Sequence, residues 1–186
     1  MTEFPTLTTE RLRLRSFTLA DAPSVQRLAG RREIADTTLT IPHPYGDGVA
    51  EDWIEAQASG FEGGRLVTCA VTDAGSGQLV GAVGISMDAA HAVAELGYWI
   101  GVPFWGRGYA TEAARALTGF GFEELQLNRV QARHLVRNPG SGRVMQKLGM
   151  RYEGTLRQAL KKWGRFEDVA IYAVLAAEWE GPTLNP

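Results

Sequence analysis

Three stretches of this chain of 186 residues bring together groups suited to chemistry. In "WIGVPFWGRGYATEAAR", Trp99 to Arg115, Gly106 and Gly108 stand directly before an alanine-rich helical pattern. Glycine permits positive φ and lets another group approach its amides. A helix N-terminus offers orphan N–H donors and the positive end of a dipole. An anion, phosphate above all, resting on Gly106 to Ala110 is the chemistry that arrangement supports. The alternative is a tightly packed strand-to-helix turn without a ligand.

The second group is Glu95, in "AVAELGYWIG". Strand alternation places it with Val93, Gly97 and Trp99, against an apolar background. Desolvation there pushes a carboxyl up, towards a value useful for accepting a proton. The alternative is a structural carboxylate bonded to a neighbouring strand's amide or to a basic side chain. The third is Ser141, in "NPGSGRVMQKLG", one short turn beyond Asn138. Its hydroxyl is either a proton donor to a leaving group or a helix-start serine satisfying a backbone N–H.

The surrounding pattern says what holds these groups. "RLRLRSF" alternates charge and leucine, as a half-exposed strand does. "TLADAPSVQRLAG" reads as a helix with Thr18 or Asp21 at its start and Gly30 at its end. "TLTIPHPYGDG" is a loop, after which Asp47 caps a second helix running through Trp53 to about Phe61. "RLVTCAVTD" and "QLVGAVGISM", joined by "AGSG", form a hairpin, and "AVAELGYWIG" follows as a central strand. A helix from Gly106 puts Ala110, Ala113, Ala114, Leu117 and Phe120 on one face. After the strand "RVQARHLV" comes a short helix with Asn138 as N-cap, Pro139 at N1 and Gly149 past its end. Two long antiparallel strands around "KKWGRF" close the chain. The sum is a single α/β (α+β) domain over residues 1–186, with a mixed sheet flanked by helices.

Composition narrows the chemistry. A net charge of −2 argues against a general nucleic-acid binder. Between Arg129 and Arg165, however, ten Lys or Arg residues face a single acid, Glu153. That half either holds phosphates or an acidic partner, or is a solvated face balanced elsewhere. "MTEFPTLTTE" does not read as a secretory signal, no apolar run approaches a membrane span, and Cys69 is the only cysteine. A reducing cytoplasm is therefore the expected home. Cys69 lies in the apolar "LVTCAV", which reads as inert packing rather than a covalent nucleophile. His43, His91 and His134 lack metal-ligand spacing, so no metal is expected. A P-loop is excluded because no Gly-Lys-Ser/Thr follows the glycines, and a dinucleotide fingerprint because the third glycine is missing.

Several of these stretches, in order along nearly the whole chain, resemble the GNAT superfamily of acyl-CoA-dependent N-acetyltransferases. They are most similar to the branch of ribosomal-protein N-terminal acetyltransferases. "TERLRLRSFTLADAPSV" resembles the opening strand and helix, "AELGYWIGVPFWGRGYATEA" the acetyl-CoA motif, "NPGSGRVMQKLGM" the following helix, and "GRFEDVAIYAVLAAEW" the final strand. Trp105 stands where the motif has Gln or Arg, and Met145 where many members have tyrosine. The resemblance implies a GNAT fold with a mostly antiparallel sheet and direct acetyl transfer from acetyl-CoA, as co-substrate, to an amine in a ternary complex. Cofactor contacts are implied for Ile100, Val102, Gly106, Arg107, Gly108, Tyr109, Ala110, Thr111, Asn138 and Ser141. Catalytic roles are expected for Glu95 as base and Ser141 as acid, since Met145 has no proton to give. His43 and Tyr45, in the Pro-rich loop, border the acceptor pocket by the same resemblance. The acceptor is a protein N-terminal amine or a small-molecule amine (amino acid, polyamine or antibiotic). A non-catalytic acyl-CoA sensor is the rival of another class, and monomer or homodimer stays open.

Overall fold

The computed structural model describes residues 3–181, so the reading of the N-terminal stretch extends to Met1 and Thr2, outside the described residues. Eight strands form one sheet: β1 (Leu7–Thr8), β2 (Leu12–Arg15), β3 (Leu66–Asp73), β4 (Leu79–Asp88), β5 (Val93–Ile100), β6 (Arg129–Leu135), β7 (Arg151–Lys162) and β8 (Arg165–Leu175). Their order is β1-β2-β3-β4-β5-β6-β8-β7, antiparallel throughout except for the parallel pair β5–β6. The mixed, mostly antiparallel sheet and the central place of β5 follow the sequence pattern. In β2 the alternation is literal, since Leu12 and Leu14 are fully buried while Arg13 is exposed.

Five helices cover the two faces: α1 (Ala22–Ala29), α2 (Arg32–Thr37), α3 (Val49–Glu62), α4 (Tyr109–Glu123) and α5 (Pro139–Lys147). Residues at alternate positions of a strand point to opposite faces, and this divides the core in two. Val67, Cys69, Val83, Ile85, Ala94 and Leu96 pack with Ala113, Ala114 and Leu117 of α4 and with Met145 of α5. Ala70, Ala82 and Trp99 pack on the other face with α1, with Ile34 of α2 and with Ile54 of α3. The alanines of α4 let that helix lie close over the buried strands.

One local expectation is corrected, and one element is added. Asp47 does not cap α3; its carboxylate accepts from Gln26 Nε2 at 2.9 Å, and the helix starts after Gly48 at φ +81°. The segment before the Pro-rich loop holds α2, whose six residues are too few for a periodic signal. Among the described residues no helix is long and apolar enough to cross a membrane, and no three His, Cys, Asp or Glu side chains group as metal ligands.

Candidate active site

A break in the sheet organises the site. β5 and β6 pair in parallel only from Val93↔Arg129 to Leu96↔Ala132, although β5 continues to Ile100 and β6 to Leu135. Beyond that point the two strands present unpaired backbone edges to each other. Unpaired peptide groups need partners, so this wedge is a place for a ligand with amide groups. His134 adds to the demand. Its Nδ1 donates to the Leu135 carbonyl at 2.8 Å, and its buried Nε2 has no partner among the described residues.

At the end of β5 the chain passes through a single turn, Val102–Phe104, into the glycine pair. Gly106 and Gly108 have φ of +76° and +82°, and Gly108 is the N-cap of α4. A Cβ at Gly106 would meet nothing within 4 Å, and one at Gly108 only the Arg11 guanidinium at 3.4 Å. Tight packing is therefore not what requires glycine here; the left-handed backbone is. Among the described residues nothing accepts a hydrogen bond from the amides of Gly106 through Thr111. These orphan donors at a fifteen-residue helix's positive end fit a pyrophosphate.

Arg11, which the sequence reading passed over, steadies that turn. It donates through Nε to Glu112 at 2.8 Å, through Nη2 to the same carboxylate at 2.5 Å, and through Nη1 to the Arg107 carbonyl at 3.0 Å. Its alternating place in "RLRLR" marks it as exposed, and only the fold brings it beside a motif almost a hundred residues away. Arg107 instead lies over the Phe104 ring, with its guanidinium carbon 5.7 Å from the centroid.

On the α4 side of the wedge, Asn138 caps α5 by accepting from the Ser141 amide at 3.3 Å. Ser141 is thus not the cap. Its hydroxyl pairs with the Tyr98 hydroxyl at 2.9 Å, and Tyr98 also donates to the Ser141 carbonyl at 3.1 Å. Burial pushes the Tyr98 phenol up to about 12, so it stays protonated at neutral pH. Met145 is fully buried in the core. Tyr98 is the larger omission of the sequence reading; its place one step from Gly97 in a central strand made it look like packing.

On the opposite face, Glu95 is not set against an apolar wall. Arg133 donates to its Oε1 from Nε at 2.9 Å and from Nη2 at 2.7 Å, while no hydrogen bond from the described residues reaches Oε2. The carboxylate is about one-third exposed (32 %), and it opens on a cavity of about 950 Å³. That cavity crosses the wedge: Glu95, Tyr98, Ile100, Gly106, Ala110, Asn138, Ser141 and Tyr45 all line it. His43, Val102, Arg107, Gly108, Tyr109 and Thr111 do not. His43 is exposed and tilts against Trp163 at 6.1 Å, and Val102 packs beneath Trp99's cluster.

The outer wall of the cavity is the unforeseen α2 and the loop after it, held by groups from distant segments. Asn138 Nδ2 donates to the Thr37 carbonyl at 3.2 Å and Lys162 Nζ to the Thr38 carbonyl at 2.7 Å. Arg137 donates to the Asp36 carbonyl at 2.7 Å and pairs with both Asp36 and Glu167. Charge-assisted bonds to the last carbonyls of a helix of six residues fix a wall that local propensity alone would not.

The chain as a whole, and the fold that carries this arrangement, have counterparts among known proteins. The family model described as acetyltransferase (GNAT) domain matches residues 11–151. YdaF of Bacillus subtilis (strain 168), named for ribosomal N-acetylation, is 36% identical over 140 residues, which cover 74% of this chain and 72% of that protein. A crystal structure described as an acetyltransferase superposes with a TM-score of 0.86 at 29% identity, over 94% of this chain and 98% of its own. RimL, described as a ribosomal L7/L12 alpha-N-protein acetyltransferase in complex with coenzyme A, shares the fold with a TM-score of 0.85 at 17% identity, over 92% and 98%. By its family match, its relatives and its fold, the chain belongs to the GNAT acetyltransferases and is an N-acetyltransferase.

Proposed function

We propose that this enzyme moves the acetyl group of acetyl-CoA directly to the N-terminal α-amine of a protein. The observation that carries the reading is one continuous cavity joining the unengaged Oε2 of Glu95 to the Ser141 hydroxyl across the β5–β6 wedge. The amides of Gly106 to Ala110 and the Arg11 guanidinium hold the pyrophosphate, and the free strand edges, His134 Nε2 and Asn138 accompany the pantetheine arm. On the other face Glu95 takes a proton from the acceptor's ammonium, directly or through a water. The freed amine nitrogen bonds to the thioester carbon, the carbon–sulfur bond breaks with its electron pair going to sulfur, and the second proton of the nitrogen passes to solvent. Ser141 gives that sulfur a proton and regains one from solvent by way of the Tyr98 hydroxyl, which burial keeps protonated. Arg133 keeps the carboxylate oriented by holding one oxygen only.

The charge of the cavity bears on the acceptor. Among the described residues Glu95 is the one carboxylate on its lining, and that carboxylate already faces Arg133. A polyamine would bring two or more ammonium groups with one half-occupied partner, and buried unpaired charge is costly. A single ammonium, such as an α-amine, matches. The name of YdaF supports a protein acceptor. The test is a thiol-release assay with acetyl-CoA and a panel of peptides, amino acids and polyamines. Release dependent on peptide, with one acetyl group gained at its N-terminus, is expected. Tight CoA binding without acceptor-dependent release would make the chain a sensor instead.

A further inference from the structure

The register of the sheet leaves a gap where an acceptor side chain belongs. On the face covered by α1 to α3, three rows run across the strands: Leu66·Ser86·Glu95, Thr68·Gly84·Gly97 and Ala70·Ala82·Trp99. The outer rows carry the carboxylate and an indole; the middle row carries two adjacent glycines. These two differ. A Cβ at Gly84 would strike Thr68 Oγ1 at 2.7 Å, so Thr68, donating to Gln57 Oε1 at 2.9 Å, already fills that position. A Cβ at Gly97 would meet nothing within 4 Å, and Gly97 is exposed within the cavity although its strand is central.

We infer that this vacancy is the side-chain pocket for the acceptor, and that the acceptor carries a large aliphatic or aromatic side chain next to its amine. This rests on the transfer reading above. An amine at Glu95 Oε2 places the acceptor's α-carbon beside Gly97. From there Trp99 stands one strand repeat away, about 6.6 Å between alternate residues, the reach of a leucine or phenylalanine side chain. Trp53, Ile41 and Tyr45 close the other side. Among the described residues the charged side chains of the lining are Glu95 and Arg133, which pair with each other, and Arg143 of α5, so a charged acceptor side chain beside Gly97 would lose its hydration for little in return.

The experiment is thiol release from acetyl-CoA with peptides that differ only in the first residue: Leu, Phe, Ala, Ser, Asp and Lys. Free leucine amide and phenylalanine amide distinguish a small-molecule source from a peptide one. Leu or Phe should exceed Ala in kcat/KM by ~10–200-fold, the range one hydrophobic pocket discriminates. Gly97→Leu, whose Cβ would meet nothing within 4 Å, should reverse that order while acetyl-CoA affinity holds. Equal rates across the series, or a Gly97→Leu variant that slows every peptide alike, would overturn the inference. Binding of the Leu peptide, read as a change in tryptophan fluorescence, separates the two readings. Selective binding without thiol release would refute transfer but uphold the pocket; release without side-chain preference would do the reverse.

Discussion

Gly108→Val tests the anion turn on terms the structure defines closely. At φ +82° a β-branched residue is strained, by ~1–2 kcal/mol. Packing adds little, because the new Cβ would meet only the Arg11 guanidinium, at 3.4 Å. In a chain of this size that strain lowers the melting temperature by ~2–8 °C, and the protein stays folded. The effect on coenzyme is of another order. Valine's methyls stand at the N-cap of α4, and any relief of strain swings the neighbouring amides away. Losing two charge-assisted hydrogen bonds to pyrophosphate costs ~3–6 kcal/mol, or ~10²–10⁴-fold in Kd. Gly164→Val is the control, since Gly164 also has positive φ (+84°) and open space but lies at the β7–β8 turn. Calorimetry with CoA beside thermal melts reads both. The expected result is similar melting losses with CoA binding lost only at position 108. Unchanged CoA affinity in folded Gly108→Val would refute the reasoning.

Glu95→Gln should keep acetyl-CoA affinity and lower kcat by ~10²–10⁴-fold at neutral pH, with partial recovery as pH rises and the acceptor deprotonates unaided. Wild-type turnover across pH would remove Glu95 from the mechanism. Ser141→Ala should slow transfer by ~10-fold or more at nearly constant CoA affinity; because Asn138 is the cap, its melting temperature should move little. Tyr98→Phe should give a smaller kcat loss than Ser141→Ala, and nothing further in the double variant, as steady-state kinetics of all three will show. Acid should destabilise the fold through Asp21 and Glu112. Burial works to raise both, but hydrogen bonds prevail (Arg15 and Thr18 for Asp21; Thr9 and Arg11 for Glu112) and hold both below the usual carboxylate range. Their stabilisation is complete above the unfolded value near pH ~4 and is lost below it, as melts from pH 6 downward, in roughly one-unit steps, will register.

What the sequence discloses here is what repeats locally. Alternation in "RLRLR", the apolar run "LVTCAV", the capping pattern of Asn138–Pro139 and the glycine pair before α4 each depend on neighbours a few residues apart, and each stands in the structure as read. The site's missing members are long-range. Arg11 reaches Glu112, Arg133 reaches Glu95, Tyr98 reaches Ser141, and Lys162 reaches the end of α2. None of these pairs leaves a periodic trace, because a single side chain on a strand reads the same whether it meets solvent, core or a partner. Glu95 shows the cost. Its face was legible, but its apolar setting was not, since the guanidinium that meets it comes from the next parallel strand over a crossover helix. The vacancy at Gly97 could be recognised only once the register had set that glycine between Glu95 and Trp99.

The central claim is that one cavity brings a thioester and an amine together for direct transfer. Its most direct test is a single-turnover experiment: enzyme loaded with acetyl-CoA labelled in the acetyl group, mixed with an excess of peptide and quenched over time. The account predicts label moving to the peptide N-terminus at the rate at which thiol appears, with no label on the protein at any time and no thiol without peptide. Thiol release before peptide is added, or label held on the enzyme, would contradict it.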